Sequence, residues 1–596
     1  MHAEARLAAW LRDLAGRLEA RDRYGAAALF AAESHWRDML AFTWSIVTVD
    51  GPGGVSALLA ECLDRTAPRG FALEPGTATE ADGIAEAWFR FETASGPARG
   101  HLRLRDGLAW TVFTLLLALK DHPEATGPRR PMGVEHGAIR GRLSWPQRRA
   151  AERAAMGHTE QPFCLVVGAG QGGLALGARL KRLGVPTMLV DRHARPGDAW
   201  RTRYDQLCLH DPVWTNHLPY LPFPESWPVF TPKDRMADWL DHYAEAMELD
   251  VRGGMTARAA SHDPDRGEWS VALDHEGGTL TLRPRHLVIA TGMSGAPHRP
   301  VVPGAEAFRG VACHSSEYRS GAAFAGRRCV VVGSNNSAHD IAADLWERGA
   351  EVTMLQRSAT TVVRSGILMR HSWGKLYSEE ALAAGITTEQ ADMTGASRPF
   401  AILPAMMRAA YDEIRRADAP FYAALQDAGF LLDFGEDGTG HGLKYFRRGS
   451  GYYIDVGASE LIIDGHIALR AGVALSRMEP DGVVLDSGER LPADLVVFAT
   501  GFEPMERWVA ELISPEVAAR VGRVWGLGSD TAKDPGPWHG ELRNMWKPTR
   551  QDGLWMMGGN LLQARFYSRL LAMQIKARLE GIATPVFDPK VFGATD

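Results

Sequence analysis

Two stretches of this chain repeat one pattern of apolar and polar positions: an apolar run, a short glycine-containing turn, a helix-spaced segment and a second apolar run. The first is FCLVVGAGQGGLALGARLKRLGVPTMLVDR, from Phe163 to Arg192. The second is RRCVVVGSNNSAHDIAADLWERGAEVTMLQRS, from Arg327 to Ser358, its Gly333 lying 165 residues after Gly168. A short apolar run bounded by glycine predicts a buried strand, and apolar residues three and four apart predict the helix that follows. Strands alternating with helices predict parallel sheets. Ahead of both stretches, MHAEARLAAWLRDLAGRLEARDRYG has helical spacing, and GHLRLRDGLAWTVFTLLLAL reads as two strands joined at Asp106-Gly107, a favoured hairpin turn.

The turns carry the first chemistry. In the first, Gly168 permits a tight turn, Gly170 lets the backbone approach a pyrophosphate, and Gly173 lets the helix pack close to the strand. Asp191 ends the next strand eighteen residues after Gly173, where an acid meets a ribose hydroxyl, with Arg192 beside it. In the second turn, Gly333 and Ser334 are followed by Asn335 in place of the second glycine, then Asn336, Ser337 and an alanine at the third position. Asn tolerates unusual backbone angles and Ala is accepted at the third position. Its second strand ends in Gln356 and Arg357, followed by Ser358, and a cation there favours a 2′-phosphate. The fold class predicted is α/β, with two Rossmann-like domains, the first for FAD and the second for NADPH with NADH tolerated, behind an N-terminal α+β domain. The expected divisions are an N-terminal domain at 1–135, a linker at 136–157, the FAD domain at 158–324 and again at 491–596, and the NADPH domain at 325–490 with an insert at 364–453.

Composition narrows the function classes. The chain has 596 residues, 45% hydrophobic and 23% charged, which suits several soluble domains. With 66 basic against 72 acidic side chains and a net charge of −6, it lacks an electrostatic footprint for nucleic acid, and no basic run suggests a membrane. Its five cysteines have no CxxC or metal-ligand spacing, so no metal site is expected and a reducing cytoplasm is the expected location.

Between the two turns stands FRGVACHSSEY, in which Phe308, Gly310, His314 and Tyr318 form FxGxxxHxxxY. With it come Gly197, Asp198 and Trp200 in RPGDAW, Ala290, Thr291 and Gly292 in LVIATGM, Thr500 and Gly501 in LVVFATGF, and the tail GGNLLQARFYSRLLAMQIKARL with Gln563. Together they resemble the class B flavin monooxygenases: flavin-containing monooxygenases, their YUCCA relatives and Baeyer–Villiger monooxygenases. The resemblance covers about seventy per cent of the chain, from Pro162 to Ile582. The Baeyer–Villiger fingerprint ends in Trp where this one has Tyr318. The resemblance implies that these residues contact the dinucleotides or the segments around them. It also places His210 of LHDPV where flavin-containing monooxygenases carry an Asn that steadies the flavin hydroperoxide. Asn216, six residues on, is the substitute for that role. A histidine at that position and an N-terminal extension resemble the type II subgroup, which includes Baeyer–Villiger catalysts with relaxed coenzyme choice.

The resemblance implies an NAD(P)H- and O2-consuming monooxygenase that inserts one oxygen atom, through a flavin C(4a)-hydroperoxide, into small ketones or heteroatom compounds. His210, Asn216, His314 and Tyr318 are the candidate catalytic residues, with His314 and Tyr318 expected to organise the junction of the nucleotide domains. Two alternatives stay open: oxidative decarboxylation of indole-3-pyruvate, with Arg364, Arg370 and Lys375 as carboxylate partners, and a flavoprotein NADPH oxidase that binds a partner. The expected partners are therefore a small organic substrate and O2, with a homodimer possible. Helices, a long hairpin, and Trp36 and Trp44 in apolar settings make residues 1–135 resemble the cone-shaped nuclear-transport-factor-two-like fold, read as a docking and dimerisation unit. His35 and Asp38 invite an active-site reading, but Trp36 and Arg37 between them read as packing and surface.

Overall fold

The computed structural model describes residues 3–134 and 136–587. Met1 and His2 of the first helical segment, Glu135 of the linker and residues 588–596 of the last segment lie outside the described residues.

The N-terminal helix Ala3–Glu19 buries Leu7, Trp10, Leu11, Leu14 and Leu18 along one stripe, as its three- and four-residue spacing dictates. It packs with helix Gly51–Thr66 on a curved sheet whose order is Ile46–Asp50, Phe30–Met39, Leu108–Leu116, Pro97–Arg105, Ile84–Glu92, Arg69–Leu73, with Thr79–Ala81 also paired to Ile84–Glu92. Phe30–Met39 and Leu108–Leu116 run parallel, and the other pairs are antiparallel. Asp106 (φ 51°) and Gly107 (φ 82°) make the hairpin turn. Trp36, Phe42, Phe89, Phe91 and Phe113 are buried in its core.

Two five-stranded parallel sheets follow. The first has the order Val251–Arg252, Thr187–Val190, Cys164–Val167, His286–Ile289, Leu554–Met556. The second has the order Val311–His314, Leu495–Phe498, Arg328–Val332, Glu351–Gln356, Ile467–Ala471. Strands covered on both faces are continuously apolar, which is why LVV and CVVV were readable. Each sheet also carries a three-stranded antiparallel ribbon just before its ATG strand, at 256–282 and 475–492. The boundaries at 324/325 and 490/491 need correction: Val311–His314 and Leu495–Phe498 both belong to the second sheet, and the chain rejoins the first sheet only at Leu554–Met556. The linker at 136–157 contains a helix, Trp145–Ala155, started by a Ser144/Gln147 capping box.

The insert adds a small parallel sheet, Leu432–Asp433, Thr360–Arg364, Tyr452–Asp455, and several helices. The closing helix Leu561–Leu579 is buried almost all round and lies against the first turn helix, Gln171–Arg182. It therefore reads as a central element without a solvent face.

Candidate functional site

Both phosphate turns are held by the same steric requirement. Gly168 has φ 110° and Gly333 φ 130°. A side chain at Gly168 would place its Cβ 2.4 Å from the carbonyl oxygen of Ala290, and one at Gly333 would place it 2.5 Å from that of Ala499. Each turn thus presses against the backbone at the end of its own ATG strand, leaving no room for a side chain at the first glycine. A Cβ at Gly173 would lie 1.9 Å from the oxygen of Gly168, whereas a Cβ at Gly170 would meet no protein atom within 4 Å. The second position needs no unusual angle: Gly170 is at φ −76°, ψ −170° and Asn335 at φ −99°, ψ −170°. The expected tolerance of Asn for odd geometry is therefore not used. Ala338 is buried at the third position.

Beyond the turns the two copies diverge. Asp191 accepts the N–H groups of Ala169 (2.7 Å) and His193 (2.9 Å), so it braces its own turn. Arg192 is exposed. Gly197 (φ 85°) approaches the Ala237 carbonyl, and Asp198 accepts the Arg195 N–H and pairs with Arg201. Burial pushes Asp198 up, but Arg201 outweighs it and holds its carboxyl below the ordinary range. Trp200 is partly buried against the core. Gln356, in the position corresponding to Asp191, is buried and grips the backbone N–H and carbonyl of Leu431. Arg357 is exposed, with no partner among the described residues, and Ser358 is exposed beside it. Ser334 shares a hydrogen bond with Thr360, Asn336 accepts the Ile454 N–H, and Ser337 lies on the first turn of the second helix.

The fingerprint residues stitch the second sheet together. The His314 ring donates from Nε2 to the Gly501 carbonyl (3.0 Å) and accepts at Nδ1 from the Ser316 N–H (3.1 Å). Burial lowers its pKa, and both ring nitrogens are engaged. Tyr318 donates its hydroxyl proton to Asp344 (2.6 Å) on the helix Asn336–Glu347. Thr500 donates to the His298 carbonyl (2.6 Å). Gln563 closes a capping box with Asn560 and accepts the Tyr445 hydroxyl. Thr291 Oγ1 is buried without a partner, beside the left-handed Gly292 (φ 79°).

His210 reaches across the two nucleotide units. Its Nε2 lies 3.3 Å from Asp340 on the second turn helix, its ring meets Tyr453 edge to face, and its Nδ1 is buried without a partner. Burial lowers the imidazole pKa, but the Asp340 carboxylate outweighs it and the net shift is upward. Asp340 also accepts the Tyr204 hydroxyl (2.7 Å). Asn216 is buried with its amide occupied, donating to the Asp211 carbonyl (2.9 Å) and accepting from Thr215 (3.1 Å). Of the two candidates, His210 alone presents a free polar atom.

Several residues here escaped sequence reasoning. Asp340 was hidden among ordinary helix residues. Asp211 carries a carboxylate with no hydrogen-bond partner among the described residues, and burial raises its pKa to about 6. Arg565 pairs with Asp392 and donates to the carbonyls of Thr215 and His217. Its one signal was a charged residue inside an apolar closing helix.

The residues fit two dinucleotides. Neither turn helix is capped by a side chain, so its first N–H groups are available to phosphates. The open space at Gly170 and the orphaned Thr291 hydroxyl fit FAD at the first turn. The exposed, unpaired Arg357 fits the 2′-phosphate of NADPH at the second.

Residues 165–398 match the sequence family described as pyridine nucleotide-disulphide oxidoreductase. The five cysteines are all free. The chain is 41% identical over 203 residues to indole-3-pyruvate monooxygenase YUCCA1 of Oryza sativa subsp. japonica, a match covering 34% of this chain and 49% of that protein. It is 28% identical over 342 residues to the probable indole-3-pyruvate monooxygenase YUCCA10 of Arabidopsis thaliana, covering 57% of this chain and 81% of that protein. The chain thus spans about half the length of the rice relative. Among solved structures, epsilon-caprolactone-bound cyclohexanone monooxygenase in the loose conformation aligns with a TM-score of 0.51 at 18% identity, covering 70% of this chain and 88% of that one. Fold and site together define an α/β protein with two turns of the dinucleotide-binding form. Over the matched residues the chain is similar in sequence to the indole-3-pyruvate monooxygenases.

Proposed function

We propose that the chain is an FAD-dependent, NADPH-consuming monooxygenase that transfers one oxygen atom from O2 to a small ketone or heteroatom compound. The observation that carries the reading is the bridge between the two nucleotide units, where His210 offers a buried, unpartnered Nδ1 while Asp340 of the second turn helix holds Nε2. FAD reduced by NADPH supplies the two-electron activation of O2 that no protein side chain provides. The chain's own residues do the rest. The uncapped turn helices bind the phosphates, and His314 and Tyr318 fix the second sheet against its turn helix. Asp340 orients His210 and favours its protonated form, so that Nδ1 becomes a buried hydrogen-bond donor. A fixed donor in a water-poor setting is how a protein steadies developing negative charge on oxygen.

The 41% match to an indole-3-pyruvate monooxygenase supports decarboxylation of that substrate as a second reading. Its carboxylate partners weigh against it. Arg364 is already paired with Asp418, and both Arg364 and Arg370 line a cavity of about 400 Å3 that also contains Asp455 and Glu460. The test is a panel of ketones, sulfides and indole-3-pyruvate, with products and hydrogen peroxide measured against NADPH consumed. Ester or sulfoxide formation supports the proposal, indole-3-acetate supports the second reading, and peroxide alone with every substrate makes the chain an NADPH oxidase.

A further inference from the structure

The N-terminal domain was expected to present Arg37 at its surface, and the structure corrects this. Arg37 projects from strand Phe30–Met39 and is 2% exposed. Its Nε and one terminal nitrogen form a two-point pair with Glu541, each bond 2.7 Å, and the other terminal nitrogen donates to the carbonyls of Ala396 (2.7 Å) and Arg398 (3.1 Å). Thr48 adds a hydroxyl to Glu541 at 2.7 Å. Those two carbonyls lie at and just beyond the end of the insert helix Thr388–Ala396. Four residues back from its end, Asp392 forms a second two-point pair, with Arg565 of the closing helix, both bonds 2.8 Å. The remaining terminal nitrogen of Arg565 donates to the carbonyls of Thr215 (3.0 Å) and His217 (2.9 Å), on either side of Asn216 and close in sequence to His210. Arg103 strengthens the first joint through the Ser397 hydroxyl (2.9 Å) and carbonyl (3.2 Å).

We propose that Arg37 and Arg565 are positioning residues of one relay, by which the N-terminal domain, through the insert helix Thr388–Ala396, sets the 215–217 segment on the flavin side. Both guanidinium groups are buried, and arginine stays charged in proteins, so each must satisfy a rigid planar set of donors. Two-point pairing to a carboxylate fixes orientation as well as distance, and the leftover donors then fix the backbone they reach. Four parts of the chain distant in sequence are thereby tied together by groups that are costly to leave unpaired. A domain joined to the rest only by its linker would not bury charge in this way. The relay concerns the chain's own packing and stands whether or not the oxygen-transfer reading holds.

Hydrogen–deuterium exchange on the full-length, FAD-loaded protein tests it. In Arg37→Met and in Asp392→Asn, peptides covering 209–218 should exchange roughly tenfold faster than in the wild type, because local opening becomes easier. Peptides covering the first phosphate turn, 164–182, should keep wild-type rates, which a general loss of stability would not allow. Arg37→Met that loosens only its own strand and the surroundings of Glu541, leaving 209–218 at wild-type rates, overturns the relay. If Arg37→Met does not fold, Ser397→Ala removes one hydroxyl from the same joint. Faster exchange at 209–218 in that variant supports the relay, and wild-type exchange there overturns it.

Discussion

The two phosphate turns share a backbone and differ in what surrounds it. Gly168 and Gly333 both sit at positive φ, hard against the carbonyl of the alanine that opens their ATG strand end, and Gly170 and Asn335 share one extended conformation. The helices after them differ. The first turn helix buries small and aliphatic residues, Gly173, Leu174, Ala175, Leu176, Gly177, Ala178 and Leu180. The second carries His339, which stacks on Tyr453, Asp340, which holds Tyr204 and His210, and Asp344, which holds Tyr318 and the Gly321 N–H. One copy is built to seat a nucleotide. The helix of the other also ties its unit to the segment carrying Tyr204 and His210, through residues that lie outside the glycine motif.

Substitutions separate the two roles. Gly170→Val should produce a colourless protein, the largest effect expected. Its Cβ meets no protein atom, so the loss should come with a folded chain, as circular dichroism would show, because the bulk enters the pyrophosphate path. A yellow Gly170→Val protein would place FAD elsewhere. His210→Ala should lower product formed per NADPH and raise hydrogen peroxide, while NADPH still reduces the flavin rapidly. By analogy with deletion of a donor to a developing oxyanion the loss is about 2.7 to 4 kcal/mol. Unchanged coupling in parallel product and peroxide assays would remove His210 from the chemistry and turn attention to Asp211.

Arg357→Ala should raise the Michaelis constant for NADPH by one to two decades, the worth of a charged hydrogen bond of about 1.5 to 3 kcal/mol, and leave NADH nearly unaffected. Equal losses with both coenzymes would make Arg357 structural. Asp340→Asn should have the smallest effect and a distinctive pH dependence. The folded pKa of His210 is raised, so the stability it contributes is fully present below the ordinary imidazole value of about 6.5 and is lost as pH rises through the folded value. Thermal melts should therefore show the wild type exceeding Asp340→Asn most at acidic pH, with the gap closing as pH rises. A gap that widens toward alkaline pH would contradict the pairing.

What was legible in the sequence follows from this contrast. Turn glycines answer to sterics within a few residues, and a strand covered on both faces must be apolar, so the turns, ATG ends and sheets could be read from the chain alone. Sheet membership was less legible, because Val311–His314 and Leu495–Phe498 pair with each other across a long stretch of chain. The connecting charges were illegible: Asp392 meets Arg565 across 173 positions and Arg37 meets Glu541 across 504. A buried arginine and a surface arginine look the same until the partner is placed. Arg37 was read as surface for that reason.

Two turns of the same backbone form are read here as seats for two different dinucleotides on one chain. Equilibrium binding of FAD and NADP+ to wild type, Gly170→Val and Arg357→Ala tests this reading most directly. One FAD and one NADP+ should bind per wild-type chain, with FAD lost and NADP+ retained in Gly170→Val, and FAD retained with NADP+ weakened in Arg357→Ala. Loss of both ligands in each folded variant, or competition of FAD and NADP+ for a single site in the wild type, would contradict it.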